Sequence, residues 1–175
     1  AYLYTVTYKA DTAIQLLTKG IKIDPTDMDL YARRATINFS RNYTKRALDD
    51  YLIILSSGDS SLLYLKRAGI GYSNNLQPKA AIKYLLKAYK KDTADFEISS
   101  FLARNYLITK DYKNSAMFYR HIIQTLDPAI YQIGANYILL AEVLKSDKKY
   151  KEAIEAYINS QENREYKRDR KSPLM

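Results

Sequence analysis

Residues 102–119 read LARNYLITKDYKNSAMFY and contain the spacing that decides the fold. Within this stretch Ser115 is followed four positions later by Tyr119, so both side chains lie on one face of a helix. The same pair of a small and a bulky residue recurs along the chain at one constant step, with the small members Ala13, Ala47, Ala81 and Ser115 and the bulky members Leu17, Tyr51, Leu85 and Tyr119. A further ladder of small residues has the same step: Ala35, Gly69 and Ala103. Small residues allow a neighbouring helix to approach. A constant step of about 20–50 residues between equivalent positions is typical of stacked repeats. The sequence therefore predicts an array of helical pairs.

The repeated segments resemble the tetratricopeptide repeat. Three of them carry its signatures: Leu102-Ala103-x-x-Tyr106, Tyr112-x-x-Ser115-x-x-x-Tyr119 and Tyr150-x-x-Ala153-x-x-x-Tyr157. The resemblance covers roughly residues 1–160 and about five repeats. It implies an all-α fold, a right-handed α-solenoid of stacked antiparallel helix pairs.

The helix boundaries follow from the ladder and from the turn residues. The predicted helices span an opening segment that ends near Tyr8, then about 11–22, 28–40, 44–56, 61–74, 79–91, 95–109, 112–126, 129–146 and 149–160. Residues 1–160 are predicted to form the repeat domain, and residues 161–175 a charged C-terminal capping helix or tail. On the repeat grid the first repeat is truncated at its start by about seven residues.

One step of the ladder is longer than the others. The step from Ser115 to Ala153 exceeds the regular period by four positions. Four residues are about one helical turn, so we expect a lengthened helix that begins near Pro128.

The composition argues against catalysis and against a membrane span. There is no cysteine, His121 is the single histidine, and Asp49 and Asp50 are adjacent residues that do not converge on one helix face. We therefore predict no enzyme activity, no metal site and no cofactor, with a structural role for His121. No apolar run reaches the roughly 20 residues that a transmembrane helix needs.

The resemblance also implies a binding groove, which the first helices of the repeats line in that family. Carried over to this sequence, the inward positions are Asp29, Ala32, Arg33, Thr36, Leu63, Lys66, Arg67, Ile70, Asn74, Ser100, Phe101, Arg104, Ile108, Ala135, Ile138, Leu139 and Glu142. The predicted peptide-binding residues among them are Arg33, Lys66, Arg67, Ile70, Asn74, Phe101 and Arg104. Basic groups beside apolar side chains suit a peptide that carries acidic and hydrophobic residues. The asparagine positions of the chaperone-binding carboxylate clamp hold Thr36 and Ile70, so the resemblance does not extend to a receptor of chaperone tails.

The predicted function is therefore a non-catalytic scaffold that presents a concave groove to a partner protein or peptide. The net charge of +9 keeps open an alternative, RNA binding through the basic groove and the tail, although nucleic acid is the less favoured partner. Self-association through the solenoid ends is a further expectation. The composition, rich in lysine, tyrosine, asparagine and isoleucine, points to a bacterium and leaves the periplasm, the outer membrane surface and the cytoplasm open.

Overall fold

In the computed structural model, the backbone is described for residues 2–125 and 133–171, and the side chains for residues 9–125 and 133–162. These residues form nine α-helices: α1 (Tyr2–Ile23), α2 (Met28–Ser40), α3 (Thr44–Ser56), α4 (Leu62–Asn74), α5 (Pro78–Tyr89), α6 (Phe96–Ile108), α7 (Tyr112–Thr125), α8 (Ile133–Ser146) and α9 (Tyr150–Lys171). The described residues contain no strand. The predicted all-α class of sequential helix pairs is confirmed.

The chain divides into two compact units, which join between Lys91 and Asp92. In the first unit each helix packs against the next from α1 to α5, and in the second from α6 to α9. The divisions predicted at residues 1–160 and 161–175 stay predictions.

The turn inside each helix pair is the same throughout the chain. Its central residue has a left-handed backbone at Asn42, Leu76, Lys110 and Lys148, with φ of 62°, 58°, 62° and 60°. The next amide donates to a carbonyl five residues back, for example Tyr43 N to Asn38 O at 2.8 Å. This closes the preceding helix with a Schellman motif. Because the turn is so short, the two helices of a pair run antiparallel.

Side-chain caps and proline set several helix starts. Asp27 accepts a hydrogen bond from Asp29 N at the start of α2, and Asp95 accepts one from Ile98 N at the start of α6. Pro78 occupies the first turn of α5, where its missing amide proton has no helical partner to lose.

From Ala35 onward the small residues of the ladders lie in the core, as the sequence predicts, whereas Ala13 is half-buried. Ala47, Ala81 and Ala153 are at most 4% exposed. A Cβ built on Gly69 would lie 2.6 Å from Leu85 Cγ, so α4 and α5 approach too closely there for any larger residue. The predicted packing role of these positions is confirmed.

Two of the predicted helix boundaries are wrong, and a third prediction falls outside the described residues. The break expected near Tyr8 is wrong, because α1 runs unbroken from Tyr2 to Ile23. No separate helix starts near Gln161, because α9 continues to Lys171. The extra turn expected near Pro128 lies outside the described residues.

Candidate peptide-binding groove

An open groove of about 760 Å³ lies on the first unit between α1, α2 and α4. Its lining includes Ala13, Leu16, Leu17, Leu30, Ala32, Arg33, Thr36, Ile37, Leu63 and Tyr64. Four of these residues, Ala32, Arg33, Thr36 and Leu63, occupy predicted inward positions. We refer to this surface as the α1–α2–α4 groove.

Two leucines give the groove apolar surface that faces solvent. Leu16 on α1 is 61% exposed and Leu63 on α4 is 53% exposed. Large apolar side chains that remain in water around a concave surface are typical of ligand sites, because burying them on binding is favourable. The groove therefore offers apolar contacts from two different helices.

The charge at this groove is smaller than the sequence predicts. Arg33 Nε donates to Asp29 Oδ2 at 2.6 Å, one helical turn away, and both side chains are more than 60% exposed. This hydrogen bond, together with the charge of Asp29, raises the pKa of the Arg33 guanidinium. The pair presents a donor and an acceptor side by side, so a partner meets a dipolar site and not an isolated cation.

Arg67 is held by an aromatic series beside the groove. Its guanidinium carbon lies 4.3 Å from the centroid of the Phe39 ring, within cation–π distance. Phe39 meets Tyr51 edge-on with centroids 6.4 Å apart, and Tyr51 lies 6.1 Å from Tyr64, which lines the groove. Burial raises the pKa of the Tyr51 phenol, with a smaller opposing effect of the Arg67 charge. Successive ring contacts through Phe39, Tyr51 and Tyr64 thus link Arg67 to the wall of the groove.

Ile70 corrects the predicted site. It is 2% exposed and belongs to the core, so it offers no surface to a peptide. The positions one repeat before and one repeat after it, Thr36 and Arg104, are exposed. The repeat register sets the backbone position, but an apolar isoleucine is favoured under the cover of neighbouring side chains, whereas threonine and arginine keep contact with water.

The other predicted residues of the first unit lie on α4. Asn74 is exposed at the last residue of that helix, and Lys66 is half-buried. No distance links either of them to Arg33, so their membership of one site stays a prediction.

Phe101 and Arg104 lie in the second unit, on α6. Arg104 is exposed, and its guanidinium carbon lies 5.6 Å from the centroid of the half-buried Phe101 ring. They form a cation–aromatic patch by themselves. That they share one wall with Arg33 and Arg67 stays a prediction from the repeat spacing.

The side chains that could carry chemistry have structural surroundings. His121 Nε2 lies 2.8 Å from the carbonyl oxygen of Thr93, to which its N–H can donate. Within the described ranges no cluster of histidine, cysteine, aspartate and glutamate is arranged to hold a metal ion. None of the described helices combines the length and apolar character that crossing a bilayer requires.

The contribution of α1 is the part of the site that sequence reasoning missed. Ala13 and Leu17 fit the packing ladder, which led to their interpretation as core residues alone. The signal was Leu16, a third apolar residue beside them, which widens the apolar stripe of α1 beyond what the ladder needs.

Solved structures with the same helix arrangement share little sequence with this chain. No known family profile matches the sequence, and no curated protein does. A crystal structure of MamA superposes with a TM-score of 0.84 at 16% identity, covering 98% of this chain and 91% of the other. YrrB, described as a TPR protein with an unusual peptide-binding site, gives 0.79 at 14% identity, covering 93% and 81%. The chain has the tetratricopeptide-repeat fold.

A third structure gives the same result for a shorter stretch. The MamA fragment from Desulfovibrio magneticus RS-1 superposes on this chain with a TM-score of 0.68 at 18% identity, covering 79% of this chain and 76% of the fragment. At this level of identity the similarity establishes the fold, and the groove itself must carry the functional argument.

Proposed function

We propose that this TPR chain is a non-catalytic scaffold that binds an extended segment of a partner protein in the α1–α2–α4 groove. The exposure of Leu16 and Leu63 in an open groove is the observation that carries the proposal. The peptide-binding site described for YrrB, a chain of the same fold, supports it. Arg33 with Asp29 supplies the polar contacts that orient a peptide backbone or an acidic side chain.

The groove still suits the apolar residues of the predicted acidic and hydrophobic peptide. It is less suited to the acidic residues of that peptide than the sequence predicts. Because Arg33 already contacts Asp29, an acidic side chain must share or displace that partner. Arg67 and Lys66 remain candidates for longer peptides, and Phe101 with Arg104 forms a separate candidate patch on the second unit.

A peptide selection tests the proposal. A random dodecapeptide phage library is selected on the full chain, and the enriched peptides are measured by fluorescence anisotropy. Leu16→Asp with Leu63→Asp should weaken binding by more than about tenfold, because each change places a charge where apolar surface is buried. Ile154→Asp on α9, where the isoleucine is 58% exposed, is the matched control and should change binding little.

Two results would overturn the proposal. One is unchanged affinity for every selected peptide in the doubly substituted but folded protein. The other is tighter binding of single-stranded RNA than of any peptide, which would favour the nucleic-acid alternative.

A further inference from the structure

A second groove lies on the other side of α4. Its volume is about 670 Å³, and residues of α3, α4 and α5 line it together with adjoining turn residues. The lining includes Leu52, Leu55, Ser56, Ser60, Leu65, Tyr72, Tyr84, Lys87, Lys90 and Lys91. Leu63 of the first groove and Leu65 of this one are two residues apart, about 200° around the helix, so the two grooves are on nearly opposite sides of α4. We refer to it as the α3–α4–α5 groove.

The floor of this groove is apolar and aromatic. Leu52 and Leu55 are half-buried, and Leu65 is 3% exposed. Tyr72 and Tyr84 stack with centroids 5.3 Å apart and an angle of 19° between their planes. Each ring therefore turns one face to the other ring.

The rim carries positive charge without a described counter-charge. Lys87, Lys90 and Lys91 are all exposed. Lys87 Nζ lies 5.8 Å from the centroid of the Tyr84 ring. Among the described side chains of the first unit, no ion pair joins a carboxylate to any of these three ammonium groups.

The two carboxylates that flank this region in sequence have other partners. Asp59 accepts the backbone N–H of Ser61 at 2.9 Å, and Asp92 accepts that of Ala94 at 2.9 Å. Both hydrogen bonds hold turns in shape.

The corresponding cavities of two other helix triplets contain their own ion pairs. In the α1–α2–α3 cavity, of about 300 Å³, Arg34 pairs with Asp50 at 2.7 Å. In the α7–α8–α9 cavity, also about 300 Å³, Arg120 pairs with Glu152 at 2.6 Å. The α3–α4–α5 groove is about twice as large, and the charged side chains named in its lining are all lysines.

We propose that the α3–α4–α5 groove docks a second peptide, an acidic segment whose carboxylates meet Lys87, Lys90 and Lys91 while its apolar side chains cover the leucine floor. The occupant supplies the counter-charge that the two corresponding cavities contain in their own side chains. The scaffold then holds two ligands on opposite sides of α4.

The floor favours a peptide over a nucleic acid. Nucleic-acid sites of this kind stack bases on free aromatic faces. Here each tyrosine ring has one face covered by the other ring, and the remaining floor is leucine, which suits aliphatic side chains.

The probe for this site is a fluorescent dodecapeptide of glutamate and leucine in a ratio of two to one. Binding to the full chain is measured by anisotropy, and the groove is located by methyl NMR with assigned leucines. Signals of Leu52, Leu55 and Leu65 should shift, while those of Leu16 and Leu63 should not. These signals distinguish failure of this site from failure of the α1–α2–α4 groove.

The charge requirement is tested with matched triple variants. K87Q/K90Q/K91Q should weaken binding by about tenfold, since three exposed ion pairs are lost. K19Q/K22Q/K45Q removes the same charge from other exposed positions of the first unit and should change affinity by less than about twofold. A peptide with glutamine in place of glutamate should bind as weakly to the unmodified chain as the acidic peptide binds to the groove variant.

Three outcomes would overturn the inference. These are equal losses in both triple variants, shifts confined to the leucines of the α1–α2–α4 groove, and an oligouridylate that binds the same lysines more tightly than the acidic peptide.

Discussion

The helix pairs α2–α3 and α4–α5 place different side chains at equivalent positions of one repeat. In α4–α5, Tyr72 and Tyr84 stack at 5.3 Å. The positions one repeat earlier hold Asn38 and Asp50, which are both 2% exposed. Arg34 reaches Asp50 through two hydrogen bonds, of 2.7 and 3.0 Å.

Among the described helix pairs that align at the repeat step, a stacked ring pair occurs twice at these positions, and a buried ion pair occurs once. In α6–α7, Tyr106 and Phe118 stack at 5.8 Å with 12° between their planes. A ring pair needs only its partner ring, whereas a buried carboxylate needs a cation and further hydrogen bonds. The repeat therefore fixes which positions meet between the two helices, but it does not fix which residue types occupy them.

The largest expected effect is loss of the buried carboxylate. Asp50→Ala should lower the free energy of unfolding by about 3 kcal/mol, because Arg34 keeps a charge that is largely removed from water and has lost its counter-ion. Urea unfolding followed by circular dichroism measures it. Asp49→Ala, at the exposed neighbouring residue, is the control and should cost less than about 0.5 kcal/mol.

A transplant between the two pairs extends this prediction. Arg34→Ala, Asn38→Tyr and Asp50→Tyr together copy Ala68, Tyr72 and Tyr84. The triple variant should regain most of the stability lost in Asp50→Ala, since apolar replacement of a buried ion pair is often neutral. A triple variant less stable than Asp50→Ala would show that the backbone around these positions differs between the α2–α3 pair and the α4–α5 pair.

The next effect concerns how closely the helices of a pair approach. Gly69→Ala should destabilise by about 1–2 kcal/mol, because the new Cβ would lie 2.6 Å from Cγ of the fully buried Leu85. Gly134 on α8 is the control, since its nearest neighbour, Ser160 O, would be 3.6 Å away. Gly134→Ala should be neutral or slightly stabilising. Equal effects on thermal unfolding would contradict the close contact of α4 with α5.

A smaller effect compares two tyrosines of the same ladder. The Thr36 side chain acts on the Tyr51 phenol and partly offsets the rise in its pKa, whereas the Tyr119 hydroxyl has no hydrogen-bond partner among the described groups. Tyr119→Phe should therefore stabilise the protein by about 1 kcal/mol, and Tyr51→Phe should destabilise it by a similar amount. Thermal unfolding of both variants at neutral pH measures the difference in sign.

The same tyrosines predict an alkaline limit. Burial is the main cause that raises the pKa of both phenols above the ordinary value of 10.0. The unfolded chain then loses these protons first, so stability is full below about pH 10 and falls as the pH rises through the folded-state pKa values. Tyr119→Phe should reduce this fall, and an unchanged pH profile would show that other groups cause it.

Sequence reasoning succeeded where one residue type has one geometric consequence. Ala47 and Ala81 recur at the repeat step and are fully buried, because a small residue at a helix contact has few other uses. It failed at the start of α1, where Lys9 and Ala10 continue the helix. Neither residue ends a helix, so the expected turn had no physical basis in that segment.

The site was less predictable than the fold, because the exposure and charge of its residues depend on which neighbouring side chains pack over them. Arg33 could be placed at the groove from its repeat position, but its contact with Asp29 and the burial of Ile70 could not. The α3–α4–α5 groove collects residues from three helices. Its lysines look like an ordinary solvated helix end until the absence of nearby described carboxylates is seen in three dimensions.

The smallest effect lies at the turns that join the two pairs. Asn42 and Leu76 both have left-handed backbones, with φ of 62° and 58°. Asparagine tolerates this conformation, whereas a leucine meets a steric penalty of about 1 kcal/mol, and Leu76 gains little from packing because it is 85% exposed. Leu76→Asn should stabilise the protein by about 0.5–1 kcal/mol, and Asn42→Leu should destabilise it by a similar amount. Chemical unfolding of both variants provides the measurement. A loss of stability in Leu76→Asn would contradict the strain argument and would show that the leucine side chain stabilises the folded turn more than its left-handed backbone costs.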